Sequence, residues 1–121
     1  MNLNQYPQAI AEASTLVNDL EYQISKIRRV IAEVEGRLDS QIAFGDFRND
    51  QQRKATRFDV LTADSDYQDA LSDLSQLNAS KAKALVEVEL LRNAYSTAKI
   101  EARMAIADKL LALESREIAG V

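Results

Sequence analysis

Along the first third of the chain, apolar side chains recur in alternating steps of three and four. Ile10, Ala13, Val17, Leu20, Ile24, Ile27, Ile31, Val34 and Leu38 hold this spacing without a break. It is the a/d seam of coiled-coil packing. Leu16 and Val30 stand beside the seam at g positions and predict a face wide enough for a bundle of three or four helices. Pro7 suits the first position of a helix, where a missing N–H costs nothing. Helix 1 is therefore expected over about 8–43, with residues 1–6 polar and loosely packed before it. Gly36 falls on the outer face, where it weakens the helix without touching the seam.

A second long periodic segment starts after Asp64. Ser65 and Gln68 have the spacing of a capping box, and Asp64, Asp66 and Asp69 place negative charge at the positive end of the following helix. From there to Ile118 the chain has neither Gly nor Pro, so helix 3 is expected over about 65–118. Its main stripe is Tyr67, Leu74, Leu77, Ala84, Val88, Leu91, Tyr95, Ala98, Ala102 and Ala105, interrupted by Lys81. A second stripe joins Val86, Leu90, Ile100, Met104, Ala107 and Leu111. One helix with two apolar faces needs two sets of partners.

Between the long segments lies a tip, about residues 44–63. It holds all three phenylalanines, Phe44, Phe47 and Phe58, and the cations Arg48, Arg53, Lys54 and Arg57. Gly45 is expected as a left-handed cap on helix 1. Asn49 and Gln52 have capping-box spacing and predict a short helix whose apolar side is Ala55, Phe58 and Leu61. On this reading the phenylalanines plug the end of a bundle, while Asp46, Asp50 and Asp59 neutralise the cations.

The elements together predict an all-α fold: one domain, an elongated antiparallel helical hairpin with coiled-coil-like packing and a short helix at its tip. Helix 1 is the shorter, roughly 54 Å long against about 80 Å for helix 3 at 1.5 Å per residue. Folded back, it stops near residue 100. Met104, Leu110, Leu111, Leu113 and Ile118 then overhang with nothing of their own chain to bury them. A single pair of helices also encloses little core. The expectation is a homodimer or higher homo-oligomer, most simply two hairpins in a four-helix bundle, with those five residues as the candidate oligomer interface.

Composition narrows the chemistry. The chain of 121 residues has no Cys and no His and a formal net charge of −4. Disulfides, thiolate nucleophiles, the usual neutral-pH base and the commonest metal ligands are all missing. Asp64 and Asp66 have the start of a calcium loop, but the glycine and the glutamate that such a loop requires fall on Asp69 and Ser75. No phosphate-cradling glycine motif is present. No catalytic, cofactor-binding or metal residues are assigned, and an enzyme is not expected. Residues 1–20 lack the pattern of a signal peptide, and no apolar run approaches a membrane span. These features lead to the expectation of a soluble cytoplasmic protein.

The acidic surface opposes general wrapping of nucleic acid but leaves room for a local contact. From Arg48 to Arg57 cations are interleaved with aromatic rings, a pattern that can grip phosphates and stack on bases. The runs A-F-G-D-F-R-N-D-Q-Q-R-K-A, Y-Q-D-A-L and E-L-L-R-N-A-Y resemble small helical proteins of phage and prophage gene clusters. Many of those are coiled coils of unassigned role, and some lie near genes for DNA recombination or replication. The likeness spans about residues 43–103 and rests on an N-D-x-x-R-K pattern, Asn49, Asp50, Arg53 and Lys54. It implies an accessory role in DNA transactions and carries no binding residues across. Two functions follow as expectations. The first is a self-associating interaction or scaffold protein; the second is an accessory protein touching DNA, or a DNA-bound protein, through the tip.

Overall fold

The computed structural model describes residues 1–118. Among them every regular element is helical: a short 3-10 turn at Leu3–Gln5, then α1 (Tyr6–Ala43), α2 (Asp50–Ala63) and α3 (Ser65–Ile118). The all-α expectation holds, and the long helices end within two residues of where the periodicity places them. Residues 1–5 are exposed, as loose packing implies, but they are tied into a hydrogen-bonded turn. The Asn2 amide donates to Gln5 Oε1 at 2.7 Å and the Gln5 amide to the Asn2 carbonyl at 3.0 Å. These bonds satisfy donors that a bare chain end would leave open. The 3-10 turn leads straight into α1, so Pro7 is its second residue.

The chain divides into two compact units. The first to be described, Leu16–Lys83, takes most of α1, all of α2 and the start of α3. Its α1 seam points inward throughout: Val17, Leu20, Ile24, Val34 and Leu38 are buried, and Ile27 and Ile31 half-buried. Ile42 extends the buried row. Glu21 meets Lys81 and Glu35 meets Tyr67, so α1 and α3 run antiparallel here. Ala70, omitted from the expected stripe, is among the most buried residues, at 4% exposure. A small side chain at a seam position lets two helix backbones approach closely. Leu16 and Val30 are exposed, so the broader face inferred from them finds no cover within this unit.

The end of this unit is closed by a cluster of Val34, Leu38 and Leu61, with Val60 and Tyr67 packed against it. Phe44 and Phe58 lie outside it, 92% and 69% exposed. The aromatic plug is therefore replaced by an aliphatic one. The inward side of α2 is also turned from the expected one. Leu61 is buried, Thr56, Arg57 and Val60 are half-buried, and Ala55 and Phe58 face out. On that inward side the Arg57 guanidinium reaches across to Asp39 on α1.

A single residue joins α2 to α3. Asp64 has extended backbone, donates its amide to the Leu61 carbonyl at 3.2 Å, and accepts the Tyr67 amide on Oδ1 at 2.8 Å. Asp64, not Ser65, is thus the N-cap of α3. Its carboxylate accepts a first-turn N–H and sits at the positive end of the helix dipole. Gln68 reaches back to the Leu61 carbonyl at 3.3 Å.

The other unit joins Met1–Thr15 to α3 from Ala84 onward. Ile10 and Ala13 of α1 are half-buried, Ala84 and Val88 of α3 are buried, and Tyr6 stacks on Tyr95 with ring centroids 5.5 Å apart. Half-burial along α3 ends at Ala102, and Ala105, expected in the main stripe, is exposed.

Candidate interaction surfaces

Two surfaces carry the residues singled out from the sequence. The first is the bare stretch of α3. Every residue from Arg103 to Ile118 is exposed. The stretch is nonetheless rich in large apolar side chains: Met104, Ile106, Leu110, Leu111, Leu113 and Ile118 are 54–85% exposed. Nothing among the described residues covers them. At about 100° per residue, Ile106, Leu110 and Leu113 share one side of the helix. Ile100, Met104, Ala107 and Leu111 share another, roughly 120° away. Upstream, Val86 and Leu90 continue that second side, also exposed.

A helix apolar on two sides and wet on both is unusual in a soluble chain. Burying one such side chain is worth about 2 kcal/mol. Contiguous apolar patches of this kind mark contact sites.

The second surface is the tip. Asn49 caps α2 by accepting the Gln52 amide at 2.8 Å, while Gln52 Oε1 accepts the Arg48 amide at 2.7 Å. The box is thus closed one residue further back than its usual form. Gly45 does not adopt left-handed backbone. An added Cβ would lie 2.6 Å from Cε2 and 2.9 Å from Cζ of the Phe47 ring. A methyl here would require that ring to move. The Gly45 amide donates to the Ile42 carbonyl at 2.9 Å and ends α1.

The four tip cations are not equivalent. Arg53 pairs with Asp50 in its own helix. Arg57 Nε donates to Asp39 Oδ1 at 2.6 Å, and Glu35 Oε2 lies 4.0 Å from its Nη2. The Asp39 hydrogen bond and charge, with Glu35 behind them, raise the Arg57 pKa further. Glu35 also accepts the Tyr67 hydroxyl at 3.2 Å, and burial together with this bond raises the phenol above its ordinary value of 10.0. Arg48 and Lys54 make no side-chain ion pair among the described residues. Lys54 and Arg57 border a groove of about 480 Å³ floored by Phe58, Leu61, Tyr67 and Leu71.

The carboxylates that answer Arg57 are Asp39 and Glu35 of α1, and of the three acids expected to neutralise the tip cations only Asp50, against Arg53, forms an ion pair among the described residues. A phosphate approaching Arg57 must compete with Asp39 and Glu35, whereas Arg48 and Lys54, without ion pairs among the described residues, stand at the tip with the exposed rings of Phe44 and Phe58.

Asp64, from the calcium-loop spacing, is taken up by capping and by Arg37 at 3.7 Å. Among the described residues no cluster of three or more acidic, His or Cys side chains is gathered, and no helix is long and apolar enough to cross a membrane. Compared with protein-family models, curated proteins and solved structures, the chain matches none. Its function must be argued from its own surfaces.

Proposed function

We propose that this chain is a non-enzymatic, cytoplasmic helical interaction protein that works as a homo-oligomer, its copies held together through the C-terminal part of α3. One observation carries the reading: the fully exposed stretch Arg103–Ile118 presents six large apolar side chains on two sides of one helix. Two sides need two neighbours. Further copies of the chain supply them, each bringing the same exposed surface to the contact. The assembly places Met104, Leu110, Leu111, Leu113 and Ile118 at its interface.

Sedimentation equilibrium at micromolar concentration tests this. The expected result is a mass of at least twice the 13.5 kDa chain. Leu110→Glu with Leu111→Glu should return it to the monomer with most helicity kept, because neither residue is buried in its own chain. A monomeric wild type removes the proposal.

A further inference from the structure

The outward side of α3 has a finer pattern than exposed apolar area. Val86 and Leu90 begin a row that Ile100, Met104, Ala107 and Leu111 complete. The steps alternate between four and three, with Asn93 and Thr97 at the two intervening positions. This is an unbroken a/d register over the outer side of one helix, and its large members are 55–61% exposed. It lies roughly 160° round the helix, at about 100° per residue, from the buried stripe of Ala84 and Val88. No other described element reaches it.

We infer that this row is a parallel, in-register seam with a second copy of the same chain. The inference rests on the proposed self-association and adds its direction and register. Three features select the arrangement. Parallel and in register, Asn93 meets Asn93 and Thr97 meets Thr97. Each polar layer then finds a hydrogen-bonding partner, and a polar residue at a seam position specifies register in this way. The apolar layers likewise meet their own kind. Beside the seam, Arg103 of one copy comes level with Asp108 of the other, twice by symmetry, and no flanking pair sets like charges together.

The strongest rival is the antiparallel alignment that packs Met104 on Ala107 and Ile100 on Leu111 of the second copy. It sets Asn93 against Ile118, Thr97 against Glu114, and Glu101 beside Asp108. Asn93 is left against an apolar side chain and two carboxylates are brought together. The parallel alignment brings Glu114 against its own copy, which ends the seam at Leu111.

The chain has no cysteine, so single substitutions report the geometry cleanly. A disulfide requires Cα atoms within about 7 Å. In full-length protein, Ala107→Cys and Leu111→Cys should each form a disulfide-linked dimer on mild oxidation. Lys109→Cys, on the opposite side of the helix, should stay a free thiol. Arg103→Glu should weaken dimerisation several-fold, and adding Asp108→Arg should restore it.

Circular dichroism of each variant checks that the helices persist. Cross-linking confined to a mixture of Met104→Cys and Ala107→Cys chains would establish the antiparallel rival and overturn the inference. A wild-type dimer by sedimentation whose Ala107→Cys and Leu111→Cys forms do not link also overturns it, while self-association stands. A monomer removes both.

Discussion

The hydroxyl of Tyr67 donates to Glu35 Oε1 at 3.2 Å, tying the first turn of α3 to the carboxylate that also faces Arg57. Burial and this bond raise the phenol pKa above 10.0. The protonated phenol is therefore bound more firmly in the folded chain than in the unfolded one. Its contribution is fully present below pH 10.0 and is lost as pH rises through the higher folded value. Thermal stability of the wild type should fall from pH 9 to pH 11 more steeply than that of Tyr67→Phe. The tyrosinate absorbance titration of the variant should lack a component that the wild type shows above pH 10.0. At neutral pH it should be less stable by about 1 kcal/mol. Parallel pH profiles for the two proteins would contradict the coupling.

The two internal glycines should respond in opposite directions. Nothing lies within 4 Å of a Cβ placed on Gly36, which sits on the exposed side of α1. Gly36→Ala should raise stability by about 1 kcal/mol through lower unfolded-state entropy. At Gly45 the same methyl meets the Phe47 ring at 2.6 Å and the Ile42 carbonyl at 3.1 Å. Gly45→Ala should therefore destabilise by about 1 kcal/mol, the overpacking outweighing the entropy gain. In a Phe47→Ala background most of that loss should disappear, and a double-mutant cycle by chemical denaturation measures it.

The start of α3 has two candidate caps, and the geometry chooses between them. Asp64 accepts the Tyr67 amide and pairs with Arg37, whereas Ser65 is already the first helical residue. Asp64→Ala should cost about 2 kcal/mol and Asp64→Asn much less, since an amide oxygen still caps. Ser65→Ala should change stability by less than about 0.5 kcal/mol. Equal effects at the two positions would return the capping role to Ser65. The measurement is the denaturant midpoint of each variant at fixed pH.

What the sequence made legible follows from which interactions repeat. The α1 seam was readable because a heptad repeats its signal many times, and one atypical residue cannot hide it. The bare end of α3 followed from comparing two lengths. The tip was harder, since a short helix has only a few residues to mark its buried side. There Leu61 and Val60, packed on Val34 and Leu38, mark the inward side together with Arg57, which meets Asp39, while Phe58 stays exposed. Asn2 and Gln5 carry the same N-x-x-Q spacing as Asn49 and Gln52, so the ordered start was readable in principle. Ala70 is small and carries little hydrophobic signal, although its size is what suits a close helix contact. A glycine after a helix most often caps it in left-handed backbone, and only the position of the Phe47 ring distinguishes Gly45 from that case.

Lys81 occupies a seam position of α3, where its neighbours along the stripe are apolar. Its Nζ lies 3.4 Å from Glu21 Oε1, with the two side chains 32% and 51% exposed. A pair this open to water is worth less than about 1 kcal/mol, and salt should screen it further. Beside it is a groove of about 280 Å³ lined by Glu21, Ile24, Ser25 and Arg28, with room for an aliphatic side chain. Lys81→Leu should therefore stabilise the chain by about 1 kcal/mol, the transfer gain of a partly buried leucine exceeding the lost pair. The stability difference from wild type should widen at high salt. If Lys81→Leu instead lowers stability, and Glu21→Ala lowers it equally, the pair contributes more than its exposure implies. It would then act in setting the register of α1 against α3. Urea denaturation of both variants and the wild type, at low and high salt, decides between these outcomes.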